Sequence, residues 1–136
     1  MRYFGKIISA VALLASAGCV SSRDVGQSLS IDELRAHPSK FDGRAVVVVA
    51  YANIEFEGDV LCDEPSVPRR PCIWLTYNEE PYETEQDLVR YDAVEEKWRA
   101  FHGKRVLVRG TFTRYPGNYG LYPGELNHIT GVELAP

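Results

Sequence analysis

The chain has 136 residues, with 19 acidic and 15 basic side chains, so its net charge at neutral pH is -4. Non-specific binding of DNA or RNA depends on Lys and Arg releasing counterions from phosphates, so this charge argues against nucleic acid as a partner. The length fits a single folded domain.

The first 18 residues have the three parts of an export signal. Arg2 and Lys6 form a short cationic region, residues 7–14 an apolar core, and residues 15–18 a run of small side chains. The apolar core is too short to remain as a membrane-spanning helix. We therefore predict a cleaved signal peptide over residues 1–18, whose removal leaves 13 basic against 19 acidic residues, a net charge of -6.

A cysteine follows these small residues, and Ser16-Ala17-Gly18-Cys19 resembles the lipobox of bacterial lipoproteins, with Ser16 where that family usually has leucine. The resemblance implies that Cys19 carries acyl chains such as palmitate and becomes the mature N-terminus. Because Val20 rather than Asp follows, it also implies a lipid anchor in the outer membrane, with the protein facing the periplasm. The alternative is an ordinary signal peptide whose cysteine is incidental.

Residues 19–29 are predicted to be the lipidated N-terminus and a polar tether, and residues 30–136 to be the folded domain. Ser30 is a suitable N-cap for a helix over 31–37, which Pro38 would end. A turn at residues 41–43 then leads into a β-branched strand over 44–51.

The rest of the chain shows strand patterns on both sides of a second helix. Residues 54–61 alternate between apolar and acidic side chains, which is typical of a half-buried strand. In chain order we predict strands over 54–61 and 72–77, a helix over 87–101, a strand over 105–112, and a last strand within 121–134, bulged at Gly131. The inner stripe of the helix is predicted to comprise Leu88, Tyr91, Val94, Trp98 and Phe101.

Three strands, a helix and two strands form the element order of the OB-fold, a five-stranded Greek-key barrel. The resemblance covers residues 41–134 and includes the similar starts of the first and fourth strands, Gly43–Val48 and Gly103–Gly110. It implies a mainly β protein with one or two helices and an OB-like barrel. Another small α+β domain is the alternative.

Cys62 and Cys72 remain once Cys19 is assigned to the lipid. In an oxidising envelope a disulfide is the default, and closing this short loop would stabilise the fold by roughly 3 kcal/mol. The spacing fits neither a Cys-x-x-Cys redox pair nor a four-ligand metal site.

Tyr115, Tyr119 and Tyr122 lie among glycines and prolines between the last two predicted strands. Tyrosine offers a flat apolar face and a hydroxyl, so this loop could hold a glycan, a peptide or a partner surface. The alternative is a hairpin whose tyrosines lie on the sheet.

Glu55, Glu57 and Asp59 place carboxylates on one face of the second predicted strand, and Asp63 and Glu64 follow. They are weak candidates for a calcium site, because residues two apart on a strand do not easily share one ion, and a solvated acidic face explains them. We expect no metal and no other cofactor.

These patterns together predict a lipid-anchored binding or accessory module of the cell envelope, without enzymatic activity. Its partners would be the membrane, through the anchor, and an envelope protein or glycan. The alternative is a small envelope hydrolase that uses the acidic residues between Glu55 and Glu64.

Overall fold

The computed structural model describes residues 28–55, 58–65, 71–81, 83–115 and 122–136. Among these residues there are five strands and three helices. The strands are β1 (Arg44–Asn53), β2 (Val60–Cys62), β3 (Cys72–Leu75), β4 (Arg105–Arg114) and β5 (Gly124–Leu134). The helices are α1 (Ile31–Ala36), α2 (Pro38–Phe41) and α3 (Glu85–Arg99).

The five strands close into a barrel in the order β1-β2-β3-β5-β4. All neighbouring strands are antiparallel except β3 and β5, which are parallel and pair Trp74 with Glu125 and Leu75 with Leu126. This closed mixed barrel, with α3 between β3 and β4, confirms the predicted mainly β, OB-like fold. None of the helices in the described ranges is long and apolar enough to cross a membrane.

The long ladder between β1 and β4 forms the main wall of the barrel. Val48 pairs with Val108 and Ala50 with Val106, and all four side chains are buried. β-Branched side chains suit such a pleated, buried surface. The turn before β1 contains Gly43 with φ 71°, and the turn before β4 contains Gly103 with φ 73°. Both turns therefore need a positive φ, which glycine adopts easily, and this explains why the two strand starts are similar in sequence.

Helix α1 packs its apolar side into the core, where Ile31 and Leu34 are fully buried. Ser30 caps it as predicted, accepting from the Glu33 N–H at 3.1 Å. Asp63, which follows β2, reaches the same helix end and accepts from the N–H groups of Ile31 at 2.9 Å and Asp32 at 3.0 Å. The helix is thus fixed to the barrel by its own cap and by a carboxylate that is distant in sequence.

The second predicted strand is much shorter than the alternation of residues 54–61 suggested, since β2 contains only Val60–Cys62. Before it, the chain turns back, and the Glu55 N–H donates to the Asp59 carboxylate at 3.2 Å. Gly58 lies so close to Trp74 that an added Cβ would be 3.1 Å from the indole ring. The prediction of one acidic strand face was therefore wrong for Glu55 and Asp59, while Glu57 lies outside the described residues.

The predicted disulfide is present between Cys62 and Cys72, which lie directly opposite each other on β2 and β3. Both cysteines are buried on the outer side of these strands, beside Val60, Trp74 and Tyr122. The neighbouring residues Leu61 and Ile73 point into the main core instead. The disulfide therefore joins the two shortest strands of the barrel outside the main core.

Helix α3 closes one end of the barrel mainly through its C-terminal half. Trp98 is buried and stacks on Tyr77 with ring centroids 4.9 Å apart, and Phe101 contacts its edge at 5.9 Å. Val94 also packs against the core. Leu88, however, is 47% exposed, so its prediction as part of the inner stripe was wrong. The N-terminal half of α3 does not bury this side chain against the barrel.

Strand β5 has a bulge at residues 128–130. Arg109 lies opposite Gly131, and Thr111 lies opposite Asn127. An advance of two residues along β4 therefore corresponds to four residues along β5. His128 in this bulge has φ 46°, which is unusual for a residue with a side chain. The bulge was predicted at Gly131, but Gly131 still pairs with Arg109 and the bulge lies immediately before it.

Candidate functional site

An aromatic pair lies on the outer side of β2 and β3. The rings of Trp74 and Tyr122 meet edge to face, with centroids 4.8 Å apart and planes at 82°. Both side chains are half-buried and pack over Val60 and the Cys62–Cys72 disulfide. We call these five residues the aromatic patch. It combines partly accessible aromatic surface with a base that the disulfide holds in place.

The predicted residue Tyr122 is therefore part of a defined surface, and Trp74 is its partner. Trp74 lies on the outer side of β3, between Ile73 and Leu75, whose buried side chains belong to the main core. Strict alternation along this strand would have placed Trp74 on the outside. Tyr119 lies outside the described residues.

Tyr115 has a different environment from Tyr122, because its hydroxyl donates to the Glu125 carboxylate. Partial burial and the negative charge of Glu125 raise the pKa of Tyr115 above its ordinary value of 10.0, so the phenol stays protonated and remains a donor. Its backbone N–H also donates to the Pro123 carbonyl at 2.9 Å. Tyr115 thus fixes the two ends of the β4–β5 connection to each other.

Glu125 is the centre of a small polar network next to the aromatic patch. It accepts from the Thr76 hydroxyl at 2.8 Å and from the Asn127 amide at 3.0 Å, and the same amide nitrogen donates to Thr113 at 3.0 Å. Glu125 pairs with Trp74 across β3 and β5. A carboxylate with about four acceptor positions therefore lies beside the tryptophan, held by several donors.

The acidic residues between Glu55 and Glu64 do not share one face. Glu55 is exposed, Asp59 turns toward the barrel, and Asp63 is occupied by the N–H groups of α1. Within the part of the chain that the structure describes, no three His, Cys, Asp or Glu side chains come together as a metal site.

Asp59 instead forms a polar pair with Tyr77, whose hydroxyl donates to its carboxylate. Partial burial raises the pKa of Asp59 above its ordinary value of 3.8, although the hydrogen bonds from Tyr77 and the Glu55 N–H oppose the shift. Burial, together with the hydrogen bond and charge of Asp59, raises the pKa of Tyr77 far above 10.0. Tyr77 therefore acts as a hydrogen-bond donor at all physiological pH values.

Two neighbouring cavities lie between α3 and the barrel, and together we call them the α3 groove. The larger has a volume of about 310 Å³ and the smaller about 160 Å³, and they share the wall residues Tyr77, Asn78 and Tyr91. Asp59 lines the smaller cavity. The larger one is also lined by Glu79, Glu80, Asp87, Arg90, Val94, His128 and Ile129.

Sequence reasoning missed the α3 groove because its walls come from segments that are distant along the chain. Residues 77–80 follow β3, Asp87 to Val94 belong to α3, and His128 and Ile129 lie in the β5 bulge. The predicted helix stripe included Tyr91 and Val94, and Val94 does pack against the core, but a stripe on one helix does not predict a cavity beside it. Only the folded barrel brings these segments together.

A comparison of the chain with protein-family models, with curated proteins and with solved structures finds no significant match in any of the three. Interpretation of function therefore depends on the residues and geometry of this chain.

Proposed function

We propose that this protein is a lipid-anchored binding module of the bacterial cell envelope, without enzymatic activity, and that its aromatic patch contacts a glycan. The proposed location depends on the resemblance of residues 16–19 to a lipobox, and these residues lie outside the described part of the structure. The observation that carries the binding role is the half-buried pair of Trp74 and Tyr122 on the outer side of β2 and β3.

The position of this pair supports a ligand-binding role. OB-folds bind oligonucleotides and oligosaccharides on the face of strands 2 and 3 and on the loops beside it, including the loop between strands 4 and 5. In this chain Trp74 belongs to β3, and Tyr122 comes from the β4–β5 connection. The net charge of -4 disfavours phosphate backbones, which leaves an oligosaccharide as the better ligand class.

The chemistry of the patch also suits a sugar. An aromatic ring presents an apolar face to the carbon-bound hydrogens of a sugar ring, while polar groups at its side fix orientation. The Glu125 carboxylate and the Thr76 hydroxyl lie next to Trp74 and form a preorganised polar pair at 2.8 Å. Tyr115, Thr76 and Asn127 already donate to this carboxylate, so about one of its acceptor positions remains for a sugar hydroxyl.

The proposal is tested by co-sedimentation of the full-length protein, in mild detergent, with purified peptidoglycan sacculi. The test variants are Trp74→Ala and Tyr122→Ala, and the control is Leu107→Ala, which removes a half-buried apolar side chain from β4, a strand that does not border the aromatic patch. We expect the wild type and the control to sediment with the sacculi, and each test variant to lose binding about tenfold or more. No sedimentation, or equal binding by folded test variants, would overturn the proposed glycan ligand.

One observation favours the alternative of a small envelope hydrolase. Asp59 has a raised pKa and lies in a cavity beside Tyr77, as a general acid would. Glycoside hydrolysis needs a second carboxylate at a defined separation, and Glu95 is the acidic neighbour that acts on Asp59. Turnover of sacculi that disappears in a folded Asp59→Asn variant would favour this alternative over the binding module.

A further inference from the structure

We propose a second binding site, independent of the aromatic patch, in which the α3 groove takes a protonated amino group carried on an aliphatic stem. The larger cavity would hold the stem and the smaller cavity the ammonium head, next to Asp59. The class of ligand is an aliphatic di- or polyamine or the side chain of a lysine. This proposal does not depend on the proposed glycan ligand.

The size and lining of the larger cavity fit an aliphatic stem. Its volume of about 310 Å³ is at the lower end of the range for small-molecule sites. Val94 and Ile129 provide apolar walls, and Tyr77 and Tyr91 provide aromatic ones. An extended chain of a few methylene groups would bury its surface against these side chains.

The smaller cavity supplies the charge that an ammonium group requires. Asp59 is partly buried and accepts hydrogen bonds from the Tyr77 hydroxyl and from the Glu55 N–H at 3.2 Å. In the described ranges, no basic side chain lies within 4.0 Å of its carboxylate. Arg99 acts on Asp59 only from a distance, because it is bound to Glu95 at 2.7 Å. An ammonium group that donates directly to the partly buried Asp59 carboxylate would therefore be strongly bound, and its charge would oppose the effect of burial on the ionisation of Asp59.

The two basic residues at the larger cavity do not compete for Asp59, because nearby carboxylates already hold them. Arg90 binds Glu80 at 3.1 Å and Asp87 at 2.9 Å. The His128 imidazole lies 3.1 Å from Glu79, which also accepts the His128 N–H at 2.8 Å. The walls therefore carry more negative than positive charge, which attracts cations and disfavours anions.

The aromatic walls reinforce this selectivity. Tyr77 and Tyr91 line both cavities, so a cation in either cavity lies beside these two phenol rings. Aromatic faces attract ammonium groups, most strongly where water is displaced. Asn78, the third shared residue, donates to the Tyr91 carbonyl at 3.3 Å and ties α3 to the segment after β3. This hydrogen bond fixes the position of α3 relative to the segment after β3, and these two elements form two walls of the groove.

The first experiment is a titration of the full-length protein in detergent micelles with 1,5-diaminopentane, followed by backbone amide shifts in two-dimensional NMR. The matched probes are 1,5-pentanediol, which lacks the charge, and glutarate, which reverses it. We expect the diamine to shift amides of Asn78, Tyr91 and Ile129, and the other two probes to leave them unchanged. Absence of diamine binding, or equal shifts with the diol, would overturn the proposal.

The second measurement compares variants that each remove one carboxylate charge. Asp59→Asn keeps an oxygen for the bonds from Tyr77 and Glu55, and the control Asp92→Asn removes a charge from an exposed position on α3. We expect Asp59→Asn to weaken diamine binding about tenfold or more and Asp92→Asn to leave it within about twofold. Equal binding by wild type and Asp59→Asn would contradict the assigned role of Asp59.

Two further arms separate the sources of the amine and the two proposed sites. Nα-acetyl-lysine methylamide replaces the free diamine, and binding of comparable strength would identify a peptide side chain as the source, whereas binding of the diamine alone would identify a small molecule. Tyr122→Ala should bind the diamine like the wild type, because Tyr122 is outside the α3 groove. Loss of both ligands in this variant would contradict two independent sites.

Discussion

The Tyr77 hydroxyl donates a hydrogen bond to the Asp59 carboxylate, and the Tyr77 ring stacks on Trp98 of α3 at 4.9 Å. This one tyrosine therefore connects the loop before β2 to the helix that closes the barrel. It also forms a wall of both cavities in the α3 groove. The same contact that stabilises the end of the barrel thus defines the environment of its partly buried acid.

The first prediction concerns the pH dependence of stability. Because burial raises the pKa of Asp59 above 3.8, the folded protein binds more protons at this site than the unfolded chain. The contribution of Asp59 is fully present below pH 3.8 and is lost as the pH rises through the raised pKa. Asp59→Asn should therefore be more stable than the wild type at pH 7 and similar near pH 3, in urea unfolding at both values.

Glu95 and Arg99 also act on Asp59, in opposite directions, and they bind each other at 2.7 Å. The control Asp92→Asn should follow the pH dependence of the wild type. A stability of Asp59→Asn that is lower than that of the wild type at pH 7 would show that ionised Asp59 is net stabilising, contrary to the effect of its burial.

The second prediction concerns the contact between Asp63 and α1. Asp63→Ala leaves the N–H groups of Ile31 and Asp32 without their acceptor, and we expect a loss of about 1–3 kcal/mol in the free energy of unfolding. Asp63→Asn keeps one oxygen and should lose less. Urea denaturation measures both, and an Asp63→Ala variant as stable as the wild type would show that the contact contributes nothing.

The third prediction uses two glycines near the β5 bulge. A Cβ at Gly110 would lie 2.7 Å from the Asn127 carbonyl oxygen and 2.9 Å from Ile129, whereas one at Gly131 would meet nothing closer than 3.7 Å. We expect Gly110→Ala to destabilise the fold by about 2 kcal/mol and Gly131→Ala to change it by less than about 0.5 kcal/mol. Thermal unfolding of both variants checks this, and equal stabilities would contradict the bulge geometry.

Much of the fold could be predicted because local patterns and tertiary structure agree. Ser30 precedes a helix and caps it, and the β-branched run from Val46 to Val49 forms a strand. Gly43 and Gly103 have the same positive-φ conformation in two separate turns, each before a strand. Element order then led to the barrel. The strand prediction failed at Glu55 and Asp59, where the alternation was misleading because the Asp59 carboxylate accepts from the Glu55 N–H and neither residue belongs to a strand.

The candidate sites were harder to predict, for a physical reason. The disulfide and the candidate residue Tyr122 could be predicted from the sequence because cysteine and tyrosine suggest these roles. The contact of Tyr122 with Trp74 could not, because it requires β3 and the β4–β5 connection to meet in the fold. The pairing of Asp59 with Tyr77 requires the loop before β2 to face the end of β3. No local pattern encodes such contacts, because they depend on barrel closure.

The fourth prediction concerns the anchor. If residues 16–19 act as a lipobox, mass spectrometry of the mature protein will show an N-terminal Cys19 with acyl chains, and Cys19→Ser will abolish the modification and the membrane association. Metabolic labelling with palmitate gives an independent readout. A mature protein with an unmodified Cys19 thiol would instead support an ordinary signal peptide.

The central claim is that the aromatic patch is the contact surface of an envelope binding module. Its most direct test is a photoreactive residue at position 122 of the lipidated protein in native envelopes, with the exposed Val89 of α3 as the matched control site. We expect one dominant adduct from position 122 that is absent from position 89, and its mass will identify a glycan or a protein. The same weak set of adducts from both positions, or none from position 122, would contradict the claim.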